Sequence, residues 1–215
     1  MSEGLSLPKS LSDVARQFFE VHEARVDPAA RADDAKLRAM LKVLKLETWP
    51  VLFEVEHDFG GVCFGEWILG TAANAKRSQK ETMKKAGGVR LVCVGVNDTG
   101  RLLVDQSGRI WDEDVSANSL RLRADSMRRR IEREAYGDNI NALTQYSSEI
   151  LPKSVNAAAG ARALGLPLIK SASDAFERVW QSDKLTVWES TDDVRVFAKN
   201  AAQLRKAVAA VEGIR

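Results

Sequence analysis

Apolar and polar positions recur along this chain with two different periods, and the changes of period mark its elements. Val14, Phe18 and Val21 keep helical spacing behind Ser10 and Ser12, either of which can cap a helix. Leu37, Met40, Leu41 and Leu44 fall at i, i+3, i+4 and i+7, an apolar stripe that predicts a second helix. Asp27-Pro28 reads as its start, because a proline in the first turn loses no intrahelical bond. Trp49-Pro50 sets its limit. From Val51 the period changes to two. Val51, Phe53 and Val55 alternate with Leu52, Glu54 and Glu56, which predicts a half-buried strand. Gly60-Gly61 breaks the run, and Val62, Phe64 and Trp67 resume it. LVCVGV then predicts a more fully buried strand. RLLVD and RIW predict two more, separated by Asn97-Asp98-Thr99-Gly100 and Gln106-Ser107-Gly108 turns.

Beyond this core the pattern turns helical again. Leu120, Met127 and Ile131 predict a basic helix over 115–136, with Gly137-Asp138-Asn139 as its break. The stretch 140–153 is weakly patterned, with room for a short helix, and AAAGARALGLPLIK has no clean period. Ser173 can cap a helix running to Val179 or Trp180. KLTVWES and DVRVFAK read as two short strands, and Leu204, Val208 and Val211 line a terminal helix. The expected class is α+β: a small antiparallel sheet flanked by helices, with a helix–strand–strand–helix C-terminal extension. The expected division is a domain over 1–137, with an insertion at about 71–88, and an extension over 138–215 that is either a small second unit or a hairpin added to the main sheet.

At 215 residues the chain can bury a real core, and its 45% apolar and 29% charged content is that of an ordinary soluble protein. No apolar run approaches bilayer length, so no membrane partner is expected. The opening MSEGLSLPKSLSDVARQ has neither a basic n-region nor an apolar h-region, so no secretory signal is expected and the cytoplasm is the expected compartment. Cys63 and Cys93 lie in apolar strand patterns and read as buried small hydrophobes, though one bridge between them stays open. The net charge of +2 gives no global case for nucleic acid. Locally the charge is uneven. Glu47, Glu54, Glu56, Asp58 and Glu66 occupy 46–70 with no base between them, and Lys76, Arg77, Lys80, Lys84, Lys85 and Arg90 follow against Glu81 alone. A solvated insertion is the plainer reading of 71–88, and a basic contact arm the sharper one.

Reaction chemistry is hard to find. HExxH, CxxC, Walker-type, GxGxxG and GxSxG patterns are all missing, so no cofactor, no metal and no enzyme activity are expected. His57 beside Asp58 is the one pair that resembles a general base and its carboxylate. Asp112-Glu113-Asp114 could in principle hold a cation, but such a run more often makes a solvated turn and a negatively charged helix start. Trp111, next to that acidic run, is the tryptophan best placed to present a face to a partner.

These residues together resemble a known family. A helical lead-in, a strand, Phe59-Gly60-Gly61 and a further strand resemble the opening signature of the SUKH superfamily. LVCVGV, RLLVD with Asp105, Gly108-Arg109-Ile110-Trp111 and a helix around 116–135 resemble its later motifs. The resemblance covers about residues 36–135. The insertion at 71–88 and the stretch 140–215 depart from it. It implies an α+β immunity protein that binds a cognate bacterial toxin, commonly a nuclease or deaminase, and neutralises it by occlusion. Toxins acting on nucleic acid carry basic clefts, so Glu54, Glu56, Asp58, Asp112, Glu113 and Asp114 are the expected contacts, with Trp111 among them. Two other readings stay open. One is a regulatory adaptor of the same fold. The other is a nucleic-acid-binding protein using the basic segments 76–90 and 121–133.

Overall fold

The structure is a computed structural model that describes residues 5, 7–77, 86–142 and 147–213. Helices and two antiparallel sheets make it an α+β protein. The chain divides into two compact units, Met1–Met127 and Arg128–Arg215. Among the described residues no helix is long and apolar enough to cross a membrane.

In the first unit, helix α1 (Asp13–Val21) starts where Ser12 Oγ accepts the Ala15 amide at 3.2 Å. It buries Ala15, Phe18 and Phe19, while Val21 is 66% exposed, so the buried stripe lies to one side of the spacing read from Val14, Phe18 and Val21. Phe18 and Phe19 meet Phe64 edge-on with ring centroids 5.4 and 5.2 Å apart. Helix α2 (Asp34–Val43) does not begin at Pro28. Asp27 Oδ1 accepts the Ala29 amide and the Asp27 amide donates to the Gly61 carbonyl, which ties that proline into a turn. Asp33 caps the helix instead, accepting Lys36 N–H at 2.8 Å.

The strand expected from Val51 is helix α3 (Pro50–Phe59). The alternation of Val51, Phe53 and Val55 misleads because Leu52, Val55, Glu56 and Phe59, which are the buried positions, follow the helical period. Pro50 opens the helix at a position that needs no donor. Strand β1 (Arg25–Val26) lies between α1 and α2, and after α3 come β2 (Val62–Phe64), β3 (Trp67–Leu69), β4 (Val92–Val96), β5 (Gly100–Val104), β6 (Ile110–Asp114) and β7 (Ser119–Ala124). They form one seven-stranded antiparallel sheet in chain order. Strand β7 corrects the expected helix over 115–136. Leu120, Leu122 and Ala124 alternate with Arg121 and Arg123, and Asn118 at φ +51° turns the chain back from β6. Helix α4 (Thr71–Asn74) and a 3-10 turn (Ala75–Arg77) open the basic insertion; its continuation at 78–85 lies outside the described residues.

Helix α5 (Met127–Ala142) leads into the second unit, and the break expected at Gly137-Asp138-Asn139, with the domain boundary beside it, falls inside this helix. A Cβ at Gly137 would stand 3.5 Å from the Trp188 ring, an ordinary contact distance, so the helix runs through this position without a steric demand for glycine. Strands β8 (Ser147–Pro152), β9 (Arg178–Gln181), β10 (Leu185–Glu189) and β11 (Asp193–Ala198) form a sheet in the order β8-β11-β10-β9. The helix expected after Ser173 is absent. Ser173 Oγ accepts the Val179 amide at 3.0 Å, which closes a loop onto β9 rather than capping a helix. Helices α6 (Ala157–Ala163) and α7 (Ala201–Glu212), capped by Asn156 and Asn200, pack over Leu151, Val187, Val194 and Val196. Gly160 lies against Val211, where a Cβ would come within 2.7 Å, so this glycine sets how closely α6 and α7 approach.

Candidate functional site

The acids expected on one contact surface take two different roles. Glu54 and Asp58 are exposed and stand one turn apart on the outer side of α3. Glu56, on the same helix, is only 1% exposed. Its Oε1 accepts the Ala32 amide at 2.7 Å and its Oε2 the Ala72 amide at 2.9 Å. It is therefore an internal tie between the 27–33 turn, α3 and the start of α4, and is removed from the contact set. Two glycines make room for this carboxylate. A Cβ on Gly60 would lie 2.7 Å from Glu56 Oε1, and one on Gly70, at φ +113°, would lie 2.8 Å from the Gly60 Cα. Phe59-Gly60-Gly61 thus ends a helix, where the expectation had it follow a strand. Both glycines are sterically required, since Gly61 has φ +72° and no space beside the Asp27 carbonyl.

The run Asp112-Glu113-Asp114 is strand β6, not a turn entering a helix, so its side chains alternate. Glu113 is buried and meets Arg101 Nη1 at 3.2 Å. It too leaves the contact set. Asp112 is half-buried, pairs in register with Leu102 and Arg121, and lies 4.0 Å from Arg123 Nε. Asp114 is exposed and accepts Ser116 Oγ at 2.7 Å and the Ala117 amide at 2.8 Å. Those bonds, the Ala117 amide first, hold its carboxyl below the usual range. Trp111 is half-buried beside Leu91, Cys93 and Leu103. Its Nε1 points at Asp105 Oδ2, 3.4 Å away. Asp105 itself is 1% exposed and accepts from Ser107 N, Arg109 N and Arg109 Nε at 2.9, 3.1 and 2.7 Å. It closes the β5–β6 turn.

His57 meets Asp34 of α2 at 2.6 Å, not its sequence neighbour Asp58. Arg38 stacks over Phe53 at 5.0 Å, one turn further along α2 and one turn back along α3, so the two helices run antiparallel. Arg90 holds the far end of α2, donating to the Leu44 and Lys45 carbonyls at 2.8 and 3.1 Å. The outer side of this helix pair therefore shows Asp34, Glu54, His57 and Asp58. Sequence reading missed Asp34, which only the antiparallel pairing brings alongside.

Cys63 and Cys93 are free thiols. Burial pushes Cys93 up to about 11 and, with Asp27 nearby, raises Cys63 as well. Among the described residues no group of three or more His, Cys, Asp or Glu side chains is placed to hold a metal ion. The arginines expected as one basic helical stripe are divided between elements. Arg121 and Arg123 are on β7, and Arg128, Arg129, Arg130 and Arg133 are on α5. Arg133 is 3% exposed, donates through Nε to the Ala172 carbonyl at 2.9 Å and pairs with Asp174. Arg130 pairs with Glu134, and Arg129 donates to the Lys170 carbonyl.

The second unit holds a polar cleft that sequence reading did not find. About 270 Å³ in volume, it is lined by Lys153, Asp174, Phe176, Glu177, Arg178 and Glu189. Glu189 accepts Lys153 Nζ at 3.0 Å and Arg178 Nε at 2.6 Å, and Glu177 accepts Trp188 Nε1 at 2.9 Å. Its own charges satisfy one another. The signal, acids three apart at 174 and 177, is too common to single out.

No protein-family model matches the chain, and no curated protein or solved structure does so either.

Proposed function

We propose that this chain is an immunity protein of SUKH type that binds a cognate bacterial toxin, of nuclease or deaminase kind, and neutralises it by covering its active site. It acts without catalysis and works in the cytoplasm. The observation that carries the reading is the outer side of α3. Glu54 and Asp58 point to solvent from a helix whose inner side is pinned by the buried Glu56. Carboxylates on a helix meet the phosphate-binding cations of a nucleic-acid-cleaving toxin at the cost of ordering their side chains but not the backbone that carries them. Asp114, with Asp112 beside it, supplies a second acidic element on β6. The resemblance at Phe59-Gly60-Gly61, Asp105 and Gly108–Trp111 supports the same class. The nucleic-acid reading is disfavoured because Arg129, Arg130 and Arg133 are taken up by internal acceptors.

The test is a toxicity rescue with a binding titration. The gene neighbour of this chain, expressed alone, stops growth, and co-expression of the wild-type chain restores it. Glu54→Lys with Asp58→Lys weakens the complex by about tenfold or more, mainly through slower association at low salt. Rescue and affinity untouched by reversing Glu54, Asp58, Asp112 and Asp114 together contradict the acidic contact surface.

A further inference from the structure

Strands paired antiparallel in chain order send alternate connections to opposite ends of the first sheet. One end receives the entry to β1 at 22–24, the β2–β3 turn at 65–66, the β4–β5 turn at 97–99 and the β6–β7 turn at 115–118. The connections after β1, β3 and β5 leave from the other end. No lysine or arginine falls in the first set of connections. They carry Glu23, Glu66 and Asp98, all exposed, and Asp114 closes β6 beside the last of them. Of the strand bases, Arg101 is tied to the buried Glu113, Arg121 lies opposite Asp112, and Arg25 is exposed.

Charge alone does not make a contact surface, but apolar groups stand at the same end. Val115 is 50% exposed on the β6–β7 turn, and its N–H donates to the Thr99 carbonyl at 3.0 Å, which ties two hairpin tips together. Asn97 Oδ1 accepts the Thr99 and Gly100 amides at 3.1 and 2.6 Å and fixes the first of these tips. Trp67 is half-buried, its ring 3.9 Å from where a Cβ on Gly100 would stand. Its register partner Phe64 packs edge-on against Phe18 and Phe19, and His22 lies on Phe18 with ring centroids 4.6 Å apart. An indole seated beside an aromatic cluster and an isopropyl group on a braced turn hold their positions before a partner arrives. Aromatic and apolar anchors inside a charged rim are where interfaces concentrate their energy. A carboxylate in or beside each turn repels an acidic segment or a phosphate backbone, and a purely apolar segment would leave these charges desolvated and unpaired.

We propose that this end of the sheet is a second contact for the partner inferred above, with Trp67 and Val115 as apolar anchors and Glu66, Asp98 and Asp114 as the rim. The occupant it fits is a segment of that partner carrying an apolar side chain between lysines or arginines. The anchor presupposes the toxin-binding reading and adds what sets the lifetime of the complex. Rim charges act on the rate of encounter, and desolvated anchors act on the rate of escape.

Surface plasmon resonance of the full chain on the immobilised product of the neighbouring gene tests this. Trp67→Ala is expected to raise the dissociation rate about tenfold or more and Val115→Asn about fivefold, with association within about twofold of wild type. Glu66→Lys with Asp98→Lys is expected to slow association at low salt and to lose that effect at high salt. Val115, Glu66 and Asp98 are exposed, so their variants keep the wild-type circular dichroism and remain decisive even where Trp67→Ala unfolds the chain. A wild-type complex whose dissociation is unchanged by Val115→Asn and by a folded Trp67→Ala overturns the anchor alone. No complex with the wild-type chain overturns it together with the toxin-binding reading.

Discussion

Two acids of the α3 region that look alike in the sequence differ sharply in what their loss would do. Glu56 accepts two amides in the interior, so Glu56→Ala strands both donors and is expected to cost about 2–4 kcal/mol. Glu54→Ala, on the exposed side, is expected to stay within about 0.5 kcal/mol. Urea denaturation of the two variants measures the contrast, and equal midpoints would show that Glu56 is not the tie described. Asp114 gives a pH test. Its carboxyl is held low by the Ala117 amide and Ser116, so its contribution is present above the carboxylate's unfolded pKa and fades as pH falls through the folded value. Asp114→Asn should therefore make the acid limb of a stability–pH curve shallower and leave the neutral region as it is. Cys93 titrates in the opposite sense, with a thiol pushed from 9.0 to about 11. The contribution of the buried neutral thiol is complete below pH 9 and declines from there towards 11. Alkylation at pH 8 should leave Cys93 unmodified until the protein is denatured, and prompt labelling of native Cys93 would contradict its burial.

At the scale of elements, legibility depended on whether local periodicity and burial agreed. Helices α1, α2 and α7 and strands β10 and β11 could be read from the period of their apolar residues, though of the helix starts only that of α1, at Ser12, was legible, since Asp33 and not Asp27-Pro28 caps α2. Strands β4, β5 and β6 could be read from the turns between them. Helix α3 could not, since Val51, Phe53 and Val55 keep a strand's alternation and only tertiary packing selects Leu52, Val55, Glu56 and Phe59 as the inner side. Strand β7 was hidden by arginines that suit a helix as well as a strand. Helix α5 reads as broken at Gly137, but one glycine costs only about 1 kcal/mol relative to alanine and does not end a helix of 16 residues. Of the candidate site, Glu54 and Asp58 could be read as surface acids. The inward turn of Glu56 and Glu113 could not, because a carboxylate's burial depends on amides and an arginine supplied by distant segments. Arg90 offers a check at this scale. It holds the C-terminal carbonyls of α2 from 45 residues away, and Arg90→Ala is expected to cost about 1 kcal/mol in thermal or chemical denaturation.

For the whole molecule, the acids of α3 and β6 belong to the first unit, and the polar cleft of Lys153, Glu177, Arg178 and Glu189 belongs to the second. Glu54→Lys with Asp58→Lys should weaken the proposed complex and leave the circular dichroism of the chain unchanged, since both side chains are exposed. The measurement closest to the central claim is the affinity of the purified full chain for the product of its neighbouring gene, made with and without Glu54→Lys/Asp58→Lys. The account predicts a stoichiometric complex that abolishes that product's toxicity and weakens by about tenfold or more on reversal. No complex with a toxic neighbour, or a complex whose affinity ignores the reversal, would contradict it.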